Sequence, residues 1–150
     1  MMDILVQYGL PFFYAAMACA GFCVMYNLRD FKIGIAACVG GGLAWVVYLL
    51  CAPTGSVMLQ NFAAAVTVAV FSEIMARVFK TPSTVFLIVG ILPMVPGGGI
   101  YYTMEYCIQG NMPMFLERLV ITLGVAGAIA VGVSLVSSVV RIITANKFEN

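Results

Sequence analysis

Along the chain, apolar residues fall into five long runs separated by short polar stretches. The first, Ile4–Tyr26, is closed by Asn27-Leu28-Arg29-Asp30-Phe31-Lys32, and the second, Ile33–Ala52, by Pro53-Thr54-Gly55-Ser56. The third, Val57–Phe79, is the most polar, with Asn61, Ser72, Glu73 and Arg77 inside it. The fourth extends from Ser83 to Ile108 and the fifth from Phe115 to Thr144. A membrane core is crossed by about 20 apolar residues in a helix, so the pattern predicts five transmembrane helices with short connections and no room for a soluble domain.

The fourth run is broken. It contains Ile91-Leu92-Pro93-Met94-Val95-Pro96-Gly97-Gly98-Gly99-Ile100-Tyr101-Tyr102. Each proline removes a backbone donor and clashes with the preceding turn, and each glycine lowers helix propensity by roughly 1 kcal/mol. Lipid cannot hydrogen-bond the freed amides and carbonyls, so a break at this depth needs cover from protein, water or a solute. The two pieces, Ser83–Leu92 and Ile100–Ile108, are each too short to cross a core of roughly 30 Å.

Composition agrees with a membrane solvent. The chain is 63% hydrophobic and 9% charged, with a mean hydropathy of +1.09, far from a soluble domain. We expect an all-α integral membrane bundle, with residues 1–150 forming a single transmembrane domain. The net charge of +1 comes without a basic cluster, so no nucleic-acid partner is expected. The chain has no histidine, which excludes serine-histidine and cysteine-histidine catalysis. Cys19, Cys23, Cys38, Cys51 and Cys107 form no CxxC pair and read as packing residues, although Cys19 and Cys23 share a helical face. No metal set or catalytic constellation is present, so neither an enzyme nor a cofactor is expected. The start, Met1-Met2-Asp3, lacks the basic region of a signal peptide, and the first run reads as a retained span.

Charge placement sets the expected orientation. Arg29 and Lys32 flank the first loop, Arg77 and Lys80 the third, and Arg141 and Lys147 the C-terminal end, leaving only Arg118 on the other side. The positive-inside rule then puts the N-terminus outside and the C-terminus in the cytoplasm. Gly124, Ala128 and Gly132 on the fifth span, and Gly34, Cys38 and Gly42 on the second, recur every four residues and predict close helix packing. Five spans make a thin assembly, so a homo-oligomer or a second subunit is expected within the bilayer.

Four features could carry chemistry. Half-helices meeting at mid-membrane, at Pro93, Pro96, Gly97, Gly98 and Gly99, could bind a solute, with the start of the second half suited to a carboxylate; a simple kink or an outer loop is the alternative. Glu73 and Arg77 lie one turn apart inside a span, where a charge commonly marks a solute or proton path. They also form the favourable i, i+4 helix pair, and Arg77 can snorkel. Asn61 could line a path or simply begin its helix at the interface. Tyr101 could donate into a polar cavity or join an interfacial aromatic belt, the reading given to Tyr106, Trp45, Tyr48 and Tyr26.

Thr81-Pro82-Ser83-Thr84-Val85-Phe86, followed by Ile91-Leu92-Pro93-Met94-Val95-Pro96-Gly97 and Tyr101, resembles the signature of the threonine/serine exporter family. The similarity is greatest to the small subunit of its split, two-polypeptide members, which corresponds to the C-terminal half of fused relatives. The resemblance implies a larger membrane subunit similar to the N-terminal half as partner. It also implies secondary export of small hydroxy amino acids, with small dicarboxylates proposed for split members. The expected function is thus a subunit of a two-component secondary exporter of small polar metabolites in the cell (cytoplasmic) membrane. Pro93–Gly99, Tyr101 and Asn61 would be at the solute and Glu73 with Arg77 at ion coupling. The alternative is a non-transporting structural or assembly subunit of a larger membrane complex.

Overall fold

The computed structural model describes residues 5–146, so Ile4 at the start of the first run and Lys147 in the basic count lie outside the described residues. After a π-helical turn, Leu5–Gly9, the helices are α1 (Leu10–Met25), α2 (Phe31–Leu50), α3 (Val57–Phe79), α4 (Ser83–Ile91), α5 (Gly97–Ile108) and α6 (Met112–Asn146). Short 3-10 turns, Ala52–Thr54 and Leu92–Met94, follow α2 and α4. Four stretches are each long and apolar enough to cross a membrane, and the pair Ser83–Met94 and Gly97–Ile108, bent by 48°, supplies a fifth when counted as one span. No strand occurs among the described residues.

Local chemistry fixes the helix ends. Asp30 caps α2 by accepting from Lys32 N at 3.0 Å, and Ser56 caps α3 by accepting from Leu59 N at 3.4 Å, each taking an amide that has no intrahelical partner. At the far end of α3, Lys80 turns left-handed with φ 54°, and Thr81 N donates back to Ala76 O at 3.1 Å, a Schellman closure. Pro82 then bars continuation. Helix α6 begins at Met112, three residues before the expected Phe115, because Pro113 falls in its first turn, where a missing amide costs nothing. Asn111 accepts from Met114 N at 3.4 Å and caps it.

Small residues set the packing. Helix α3 lies centrally, against α2, α4 and α6. A Cβ on Gly132 would sit 3.1 Å from both Ala65 Cβ and Phe62 O of α3, and one on Gly124 would strike Met58, so the α6 stripe faces α3. The Gly34–Cys38–Gly42 stripe faces α1, where Gly42 meets Phe12 and Gly34 meets Cys23. A glycine-to-glycine contact lies outside either stripe: a Cβ on Gly41 would lie 3.4 Å from Gly90 Cα, and Gly41 also abuts Cys19 Sγ. This contact draws α4 onto α2. Cys19, Ala37, Phe86 and Val89 form one buried cluster beside it, and Ala44, Ala64, Val68 and Met94 form a second.

Membrane depth also shapes the polar residues. Thr67, Ser72, Thr103, Thr122 and Thr144 each return their hydroxyl to a carbonyl four residues earlier, at 2.7 to 2.9 Å. This satisfies the hydroxyl without a partner helix.

Candidate functional site

The break is built by its two prolines. Pro93 has no amide for the carbonyl of Val89, and that carbonyl instead accepts from the buried thiol of Cys19 at 3.4 Å. Pro96 likewise cannot serve Leu92 O, which accepts from Val95 N at 3.2 Å and so tightens Leu92–Met94 into a 3-10 turn. Gly97 N donates to Val95 O at 2.7 Å, and the regular ladder of α5 starts with Ile100 N donating to Pro96 O at 3.0 Å. No side chain caps α5, and with Gly97 N taken by Val95 O the amides of Gly98 and Gly99 are left at the positive end of the helix dipole. The half-helices are 9 and 12 residues long, or about 14 and 18 Å at 1.5 Å per residue. Met94 clusters with Ala64 and Val68, and Gly99 meets Thr122 beside the Gly124–Met58 contact, so the break lies level with the N-terminal half of α3. The second half begins at Gly97, three residues ahead of the Ile100 start expected from sequence.

Beside the break lies an open-sided cavity of about 270 Å³. Its walls are Pro93, Met94, Val95, Pro96 and Gly99 from the break, Trp45 and Tyr48 from α2, Val57 and Asn61 from α3, and Ile121, Thr122 and Val125 from α6. Asn61 is 5% exposed. Its Nδ2 donates to Val57 O at 2.8 Å, which leaves a second N–H and the Oδ1 acceptor for other partners. Trp45 and Tyr48 stack with ring centroids 5.2 Å apart and 21° between planes. Gly99 is pressed against α6, where a Cβ would lie 2.5 Å from Thr122 Oγ1.

Asn61, Pro93, Pro96 and Gly99 are thus brought together in one cavity. The other candidates lie elsewhere. Gly97 and Gly98 are exposed, with nothing within 4 Å of an added Cβ. Tyr101 is 65% exposed and meets Tyr102 edge-on at 5.4 Å, outside the cavity. Glu73 and Arg77 form an ion pair at 3.4 Å, and Arg77 Nη1 also donates to Glu73 O at 2.7 Å. Asn61 and Glu73 are twelve residues apart on α3, about 18 Å along the axis, so the pair sits toward the opposite end of the helix. Thr122, Trp45 and Tyr48 join the site without having been singled out for it. An aromatic pair at i, i+3 near a helix end reads as an interfacial belt, and one threonine in an apolar run carries no signal of its own. Among the described residues no group of three or more potential ligands could hold a metal ion.

Apolar helices of membrane-crossing length, one of them interrupted beside a partly polar cavity, define a multi-pass membrane protein. Residues 11–139, from the first apolar run into the last, match the family model described as Threonine/Serine exporter, ThrE, and the chain belongs to that family. No curated protein and no solved structure matches the chain.

Proposed function

We propose that the chain is the smaller subunit of a two-component secondary exporter, moving threonine, serine and similarly small polar metabolites out across the cell membrane. The observation that carries this reading is the cavity at the α4–α5 break, where Asn61, Thr122 and Gly99 at the start of α5 meet inside an apolar bundle. A broken helix of this kind supplies polar groups to a solute at a depth where lipid supplies none. The cavity is open on one side, which leaves a wall for a larger membrane subunit resembling the N-terminal half of fused relatives. Glu73, the single carboxylate of α3, is the proposed coupling group, acting from the opposite end of the helix with Arg77 as its counter-ion. In this reading the N-terminus is outside and the C-terminus in the cytoplasm, which the basic residues at one set of span ends support.

Cells preloaded with labelled L-threonine and producing this chain, the larger subunit, or both provide the test. Efflux above background is expected only when both are made. Assembly of the two without efflux would favour a structural subunit, and full efflux from this chain alone would remove the two-component arrangement.

A further inference from the structure

Resting on that reading, we propose that the indole of Trp45 is the specificity-determining partition of the cavity. It admits small side chains and turns away larger apolar ones by closing the cavity off from a second hollow behind it.

The second hollow has a volume of about 370 Å³ and is lined by Pro11, Tyr14, Ala15 and Ala18 of α1 together with Trp45 and Pro93. The cavity at the break, of about 270 Å³, counts Trp45 and Pro93 among its own walls. Those two residues are the whole overlap, so the two spaces stand back to back. Pro93 contributes a short ring fixed to the backbone of the break, and the indole makes up the larger part of the divide. The indole is also held in place. Tyr48, which lines the first cavity alone, stacks on it with ring centroids 5.2 Å apart. Both rings pack against the buried cluster of Ala44, Ala64, Val68 and Met94. A large solute must break those contacts to pass, and a small one need not.

What lies behind the partition decides which solutes it turns away. The remaining walls of the hollow are two alanines, a proline and a tyrosine that is 67% exposed. Such walls suit a branched or aromatic hydrocarbon better than an amide, which would lose its water there. Ala18 is exposed and lines only the hollow. A larger side chain at that position fills the hollow without touching the first cavity.

Competition against labelled L-threonine in vesicles holding the complete transporter reads the partition. In the wild type L-serine should compete about as well as L-threonine, and L-leucine and L-phenylalanine at least about tenfold less well, a discrimination that misfit in a pocket can supply. Trp45→Ala should improve leucine and phenylalanine at least about tenfold relative to threonine, because the surroundings of a deleted side chain relax only in part and the two spaces join. L-Glutamine should not gain. Trp45→Phe should give a smaller gain of the same kind, and it carries the test if Trp45→Ala fails to assemble. Ala18→Phe alone should leave threonine transport unchanged, and added to Trp45→Ala it should cancel the gain. Misfolding cannot produce such a gain. No gain in either Trp45 variant, an equal gain for glutamine, or a gain that Ala18→Phe leaves intact would overturn the partition while the exporter reading stands. Leucine competing as well as threonine in the wild type would do the same. A wild type that moves no threonine would fail the exporter reading itself, and the partition's role with it.

Discussion

At the scale of single residues, the three glycines after the break separate into two kinds. Gly97 and Gly98 face open space, whereas Gly99 fits against Thr122 with no room for a methyl group. Gly97→Ala and Gly98→Ala should therefore keep wild-type expression and threonine export. Gly99→Ala should cost about 1 to 3 kcal/mol of overpacking strain and distort the cavity. Because the collision is with Thr122 Oγ1 and Cγ2, adding Thr122→Ala should restore most of the thermal stability lost by Gly99→Ala. Thermal melts in detergent check both statements. The Glu73–Arg77 pair makes a different prediction. Arg77 is 57% exposed, so breaking an ion pair of this kind costs less than about 1 kcal/mol. Glu73→Gln should then leave the protein folded while abolishing gradient-driven export and sparing solute exchange. Unchanged export would return the pair to a purely structural role. Of the residues at the cavity, the two prolines, Gly99 and Asn61 could be picked out because each is anomalous in an apolar helix. Thr122 could not, since its meaning comes only from the helix packed against it.

At the scale of elements, the break is held by a contact that sequence does not announce. Pro93 is visible as a helix breaker, but the donor that covers the orphaned Val89 carbonyl is Cys19, seventy residues earlier. Replacing it should show whether the break needs that cover. Cys19→Ala leaves a buried carbonyl without a donor and should cost about 1 to 3 kcal/mol, whereas Cys19→Ser keeps a donor and should recover most of it, as read from melting temperatures. Helix number, order and most boundaries were legible because apolar run length maps directly onto bilayer thickness. The stripes of small residues on α2 and α6 were legible as packing surfaces for the same periodic reason. Gly40 and Gly41 were not, because a run of adjacent glycines has no preferred face until a neighbouring helix selects one, and neither was the lone Gly90 that Gly41 meets.

At the scale of the whole molecule, orientation rests on the basic residues alone, and labelling can check it directly. In a background lacking the native cysteines, Thr54→Cys in the turn between α2 and α3 should react with an impermeant thiol reagent from outside. Phe31→Cys, 80% exposed at the opposite end of α2, should react only from the cytoplasm. Reaction of both from one side would eliminate the five-span arrangement. The two halves of the broken span also belong to different packing groups. Helix α4 is bound to α2 and α3 through its glycine contact, while α5 packs principally along α6. The cavity walls divide the same way, with Trp45, Tyr48, Asn61, Pro93 and Met94 on one side and Gly99, Ile121, Thr122 and Val125 on the other. Val95-Pro96 is thus the joint between a half-helix seated on α2 and α3 and one seated on α6, and the angle held at that joint sets the width of the cavity between them.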